Sequence, residues 1–228
     1  MSSLVRRSVA ETVGTFAFVF LGAGSVVASQ FPSAGYGLLG IALAHGIALA
    51  VMVTATMAIS GGHLNPAVTI ALLTGRRING QTAIAYIAAQ LVGAALAGFA
   101  IKFMLPSHVV RAVAAGTPII ANTLTAGQAI AIEALVTFFL ASVVFGTCVN
   151  PDAPKVGGFA IGLVVFADIL VAGPMTGAAM NPARAFGPAL VSGMWTAQFV
   201  YWVGPILGGI VAALLWDRVL IRRPAGEE

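Results

Sequence analysis

Six apolar runs, each about the 20 residues a helix needs to cross the hydrocarbon of a bilayer, dominate this chain. They lie at roughly 8–29, 36–59, 81–104, 127–149, 156–173 and 196–220. Of the 228 residues, 59% are hydrophobic and only 8% charged, against about 25% charged in an ordinary soluble domain. A mean hydropathy of +1.00 agrees. A chain so poor in charge cannot clothe a water-facing surface, so its partner is the lipid bilayer. Soluble enzymes, nucleic-acid binders and disordered proteins are excluded. The pI of about 9.8 does not change this, because the net charge is only +4 and the basic residues form no stripe to fit a phosphate backbone. The single cysteine, Cys148, rules out an intrachain disulfide and a cysteine zinc cage. No cofactor or metal is expected. The first run is too long for a signal peptide and lacks a small-residue cleavage site, so it reads as a retained helix.

Two further segments, 60–74 and 174–191, are too apolar for water-exposed loops and too short to span. Each opens with glycine-rich backbone and continues as a short helix after Asn-Pro. Irregular backbone at membrane depth is tolerated only when buried in protein or lining an aqueous cavity, which makes both segments candidate re-entrant loops. The halves of the chain echo each other. Glu11-x-x-x-Thr15-Phe16 opens the first helix and Glu133-x-x-x-Thr137-Phe138 the fourth, and Asn65-Pro66-Ala67 and Asn181-Pro182-Ala183 follow 54 and 48 residues after those glutamates. Three helices per half is an odd number, so the halves enter the membrane from opposite sides, as in inverted repeats whose broken helices meet at the midplane. The expected fold is an all-α membrane protein: six transmembrane helices plus two re-entrant half-helices in one domain, 1–228, with repeats at about 5–105 and 127–222. Arg6, Arg7, Arg76, Arg77, Lys155, Arg218, Arg222 and Arg223 fall on the side of the amino terminus, against Lys102 and Arg111 on the other. The positive-inside rule makes both termini cytoplasmic.

Asparagine is favoured at a helix cap and proline at the first helical position, so Asn65-Pro66 and Asn181-Pro182 read as two helix starts. Folded inward from opposite faces, they bring two positive helix ends together. Each asparagine can turn its carbonyl to its own helix and offer amide hydrogens to a passing molecule. A lone Asn-Pro, such as Asn150-Pro151, reads as a turn. Two Asn-Pro-Ala motifs at equivalent places in an inverted repeat are far more specific, and with them the chain resembles the aquaporin (major intrinsic protein) family. The resemblance runs from Glu11 to the segment Tyr201-Trp202-Val203-Gly204-Pro205. It is carried by Ser60-Gly61-Gly62-His63-Leu64-Asn65-Pro66-Ala67-Val68-Thr69 and by Met180-Asn181-Pro182-Ala183-Arg184-Ala185-Phe186-Gly187-Pro188. It implies one pore per subunit, a homotetramer, and the exclusion of protons and cations by opposed half-helix dipoles that is established for aquaporins. The chain has the size of a bacterial member, which sets the expectation of a bacterial plasma membrane.

By the same resemblance, the narrow outer ring is His45, Ile169, Ala178 and Arg184. Arg184 and Ala178 lie three residues either side of Asn181, and His45 and Ile169 fall in the outer third of their helices. This ring differs from the Phe and His of bacterial water channels and is similar to that of plant tonoplast intrinsic proteins. Leu105-Pro106-Ser107-His108 resembles an outer-loop segment whose histidine reaches the filter in some of them. The implied activity is passive water conduction that also admits ammonia and hydrogen peroxide. A glycerol facilitator is the alternative, although Ala185, Tyr201 and Trp202 resemble the water-selective pattern.

Glu11 and Glu133 are ionisable groups inside spans and so are functional candidates by default. The reading preferred here is that each carboxylate holds the backbone donors of a re-entrant loop. Gly61, Gly62 and His63 are expected to line the pore with backbone, with the His63 side chain held structurally. Asp168 is expected to pair with Arg184 or His108 or to face a subunit contact, and Cys148 to be inert packing. With Ala178 where mercury-sensitive relatives carry cysteine, mercury sensitivity is expected to be weak. The short tails predict no gating by phosphorylation. A secondary transporter would place ionisable residues at the central site, and an enzyme would need a nucleophile–base pair or metal cluster. The centre here is asparagine, proline and alanine.

Overall fold

The computed structural model describes residues 3–221. Six of its helices are long and apolar enough to cross a membrane: α1 (Ser3–Ala28), α2 (Gly37–Ser60), α4 (Gly80–Met104), α6 (Ala126–Val144, extended by a π-turn to Val149), α7 (Gly157–Thr176) and α9 (Val200–Leu215, extended by a π-turn to Leu220). Two short helices, α3 (Pro66–Thr74) and α8 (Pro182–Ser192), follow the re-entrant loops, and α5 (Ser107–Ala112) sits in the connection after α4. The described residues form no strand, so the all-helical expectation holds, with the two half-helices where the Asn-Pro dipeptides put them. Arg222 and Arg223, counted above for orientation, lie outside the described residues.

The long helices have apolar side chains all round. Their outward faces carry Leu39, Ile47, Val51, Ile84, Phe103, Leu135, Val171 and Val211, all well exposed. Such a surface is stable only against lipid or another apolar partner. Inside, where lipid gives helices no hydrophobic reason to associate, close backbone approach takes over. α2 and α7 meet at a reciprocal glycine pair, since a Cβ on Gly46 or Gly162 would run into the carbonyl of the other. Gly208 of α9 presses in the same way on the carbonyl of Ala134 in α6.

Helix ends depart from the sequence expectation in two places. Pro174 lies inside α7, which runs on to Thr176; near a helix end proline removes a single intrahelical bond, and the added turn carries Thr176 to Glu133. The sixth span starts at Val200, because 196–199 form a tight turn closed by Gln198 N–H to Trp195 O and Val200 N–H to Ala197 O. Arg77 pairs with Asp217 at 2.6 Å, and Arg7 lines the same cavity as Arg77.

Candidate functional site: a narrow path between two asparagine-capped half-helices

Each re-entrant loop hangs from a buried glutamate. Glu11 Oε1 accepts from Ser60 Oγ (2.6 Å) and His63 N (3.0 Å), and its Oε2 accepts from Leu64 N (2.7 Å). Glu133 repeats the pattern with Thr176 Oγ1 (2.6 Å), Ala179 N (2.9 Å) and Met180 N (2.8 Å). The hydroxyls of Ser60 and Thr176 also accept from Gly62 N and Ala178 N, while Tyr86 and Tyr201 donate to the carbonyls of Ser60 and Thr176. The structural reading of the two glutamates is thus the one the geometry supports. The first loop has an added bond: Gln90 Nε2 donates to both Glu11 Oε2 (2.8 Å) and Thr69 Oγ1 (2.9 Å). The single Thr69 proton goes to Asn65 O, so Thr69 accepts from His63 Nδ1.

This anchoring forces unusual backbone. Gly61 and Gly177 have φ of 93° and 81°, Gly62 and Ala178 63° and 45°, Leu64 and Met180 50° and 51°. The last two pairs include side chains in a region that disfavours them, a strain that survives only where surroundings over-determine it. It turns the carbonyls of Leu64 and Met180 to the centre. Asn181 Nδ2 donates to Leu64 O and Asn65 Nδ2 to Met180 O, both at 2.9 Å. The Asn65 Oδ1 accepts from Ala67 N, and the Asn181 Oδ1 from Ala183 N and Arg184 N. Each cap therefore faces its own helix with oxygen and the opposite loop with one amide hydrogen, leaving the second hydrogen free. Pro66, Ala67, Pro182 and Ala183 form the first turns behind them. Asn150-Pro151, by contrast, closes a surface turn through Asn150 Oδ1 and Asp152 N.

Three cavities lie in series along these residues. An outer one of about 290 Å³ is lined by His45, Gly116, Ile169 and Arg184 among others. It shares His45 and Ile169 with a waist of about 10 Å³, where Phe18, Ala178 and both asparagines also contribute. The waist shares Asn65 with an inner cavity of about 410 Å³, whose walls include Arg7, Gly61, Gly62, His63, Arg77 and Cys148. Of the four expected ring residues, His45, Ile169 and Arg184 line the outer cavity, and Ala178 lines the waist with His45 and Ile169. His45 Nδ1 lies 2.9 Å from the carbonyl of Ile41, so it carries the proton, and Nε2 accepts from Arg184 Nη2 at 3.2 Å. Arg184 Nη1 donates to Gly116 O at 2.8 Å.

The structure departs from expectation at His108 and Cys148, and at Asp168 in two of the three places expected for it. His108 is exposed on α5 and is not hydrogen-bonded to Arg184; the outer connection reaches the filter through the backbone of Gly116 instead. Exchanging His108 for alanine is expected to leave water flux in proteoliposomes unchanged, and a change of twofold or more would restore it to the filter. Asp168 is bonded to neither Arg184 nor His108. It borders a lateral groove of about 540 Å³ with Phe138, Phe139 and Ser142, and its Oδ2 is enclosed without a hydrogen-bond partner among the described residues. Cys148 is not packed away but exposed at the inner cavity. That cavity is roomy and Ala178 faces the waist, so mercuric chloride is expected to slow the parent little and Ala178→Cys strongly. Equal block of both would place the sensitivity at Cys148.

The sequence reading assigned no loop-holding role to several residues that have one. Ser60 and Thr176 had a signal, a hydroxyl residue five positions before each Asn. Tyr86 and Tyr201, 21 and 20 positions after it, had one too. Gly116 had none, because it contributes a carbonyl.

The comparisons with known proteins agree with this geometry. The family model for major intrinsic proteins matches residues 1–216. The chain is 43% identical to "Aquaporin TIP4-4" of Zea mays over 235 residues, covering 98% of this chain and 90% of that protein. It is 42% identical to "Probable aquaporin TIP3-2" of Arabidopsis thaliana, covering 95% and 84%. The solved aquaglyceroporin of Plasmodium falciparum superimposes with a TM-score of 0.83 at 23% identity, covering 95% of this chain and 96% of that one, which bears on the fold alone. These plant relatives give no support to a bacterial plasma membrane. With a family match over nearly the whole length, six membrane-crossing helices and paired Asn-Pro-Ala half-helices, the chain is an integral multi-pass membrane protein and belongs to the major intrinsic protein family of aquaporin channels.

Proposed function

We propose that this protein is a passive water channel that excludes protons and ions, also passes ammonia and hydrogen peroxide, and works as a homotetramer with both termini cytoplasmic and one pore in each 1–228 domain. The observation that carries the reading is the waist. Its volume of about 10 Å³ is close to the roughly 10–15 Å³ that holds a single water. The free amide hydrogens of Asn65 and Asn181 face it between walls whose other side chains, His45 apart, are apolar, among them Phe18, Leu49, Leu140, Val165 and Ile169. A water there must turn its oxygen to both amides, which interrupts a proton-conducting chain, and the two positive helix ends repel cations. Ammonia and hydrogen peroxide are of similar size and can accept the same hydrogen bonds. Ile169 gives them an apolar wall, and His45, neutral and bonded to Arg184, adds no charge. Glycerol, three carbons long, must shed several waters to enter a waist this narrow.

Stopped-flow light scattering on proteoliposomes tests this with osmotic, ammonium and glycerol gradients in parallel. Fast shrinkage in the osmotic gradient with slow glycerol entry is the expected result. Glycerol entry at a rate comparable to water replaces the reading with a glycerol facilitator, and flux no faster than empty liposomes refutes both.

A further inference from the structure

We infer that Gly22 of α1 is a specificity-determining position of the filter: its missing side chain is the seat of the His45 ring, and through His45 it sets where Arg184 stands. The inference rests on the channel reading above and adds to the ring a residue that lends it no side chain.

A Cβ built on Gly22 would lie 2.6 Å from His45 Cδ2 and 2.8 Å from Nε2. Carbon atoms do not approach that closely, so the edge of the ring that meets Arg184 occupies the space a methyl group would take. A flexible side chain could swing clear of such a clash. His45 is not free to do so. Its Nδ1 donates to Ile41 O, its Nε2 accepts from Arg184, and the ring stands edge-on to Phe18, one turn before Gly22 on the same helix, with centroids 6.1 Å apart. Any movement away from α1 breaks at least one of these contacts and carries the ring towards the 10 Å³ waist that it lines with Ile169.

The adjoining residue serves the other holder of Arg184. Gly116, whose carbonyl accepts from Nη1, packs so tightly on Ala23 that a Cβ on it would lie 2.5 Å from the Ala23 carbonyl oxygen. Gly22 and Ala23 thus back both acceptors of the arginine, His45 Nε2 and Gly116 O. Gly24, one position further on, has open space around it.

The test is a double-mutant cycle in proteoliposomes, with Gly24→Ala as the control and folding checked by gel filtration. Gly22→Ala is expected to lower water permeability about fivefold, the rate equivalent of modest overpacking, while Gly24→Ala matches the parent. In a His45→Ala background the ring is gone, so adding Gly22→Ala is expected to change flux less than twofold. An equal loss in both backgrounds would make Gly22 a packing residue and overturn the inference, as would parental flux in Gly22→Ala. Should the single variant not fold, the double variant must fold and conduct like His45→Ala, or the inference fails. The nitrogen NMR signals of the His45 ring give a second reading: Gly22→Ala should shift Nε2, and an unmoved signal overturns the seat. That measurement needs no flux, so a parent that conducts no water would refute the channel reading and leave the seat of His45 to be decided by the spectrum.

Discussion

Glu11→Ala is expected to leave no folded protein to assay, although residue 11 lines no part of the waist. The carboxylate is fully buried and takes four hydrogen bonds, from Ser60, His63, Leu64 and Gln90. Removing it takes an acceptor from each of the four, and leaves the His63 and Leu64 amides with no other acceptor inside the helix bundle, at about 1–3 kcal/mol for each lost bond. Their sum is of the order of the roughly 5–15 kcal/mol by which an ordinary domain is stable. Glutamine is more informative than alanine. Its oxygen can still accept twice, but its amide group turns donors on donors at the other end. At Glu11 two donors face that end, Leu64 N and Gln90 Nε2, whereas at Glu133 only Met180 N faces Oε2. Thermal unfolding in detergent should therefore rank the parent above Glu133→Gln and Glu133→Gln above Glu11→Gln. The reverse order would mean that the added Gln90 bond contributes nothing.

That asymmetry also marks the limit of what the sequence discloses. The repeat of Glu-x-x-x-Thr-Phe and Asn-Pro-Ala was visible in the chain, and so were the two half-helix starts, because a capping asparagine before a proline has one strong local meaning. The six spans were visible because apolarity sustained over about 20 residues has few other uses. Their ends were less legible. In a uniformly apolar stretch neither hydrophobic periodicity nor a polar cap marks where a helix stops, so Pro174 looked like a boundary when it was not, and the turn at 196–199 looked like helix. The proposed ring residues came through resemblance, while the contacts that hold His45 and Arg184 came from no feature of the sequence. Gly116 acts through a carbonyl and Gly22 through the lack of a side chain, and neither contribution has a residue type that announces it. His108 was named because histidine draws attention; its exposure on α5 follows from a helical turn, Ser107–Ala112, that the sequence did not suggest.

The converse experiment opens the pore. Arg184 and His45 are buried at the mouth of the waist and clasp each other at 3.2 Å, with Arg184 tied further to Gly116 and His45 to Ile41. Removing only one leaves the other with a lost partner and freedom to lean into the gap, so a single substitution understates the effect. The double variant His45→Ala/Arg184→Ala leaves Ile169 and Ala178 as the remaining ring and merges the outer cavity with the waist. Both of those side chains are apolar and short, so the narrowest point passes inward to the asparagines, which cannot retreat because each is tied to the opposite loop. Glycerol permeability is expected to rise about tenfold or more, the rate equivalent of some 1.4 kcal/mol off the barrier, while water permeability stays within about twofold of the parent. Proton flux should rise far less than glycerol flux, because the two half-helix amino ends and the asparagine amides are untouched. Parallel stopped-flow measurements with glycerol, water and a pH-sensitive dye separate the three. Unchanged glycerol entry would show that the asparagine centre, not the outer ring, sets the size limit; proton leakage rising in step with glycerol would show that Arg184 carries the charge barrier.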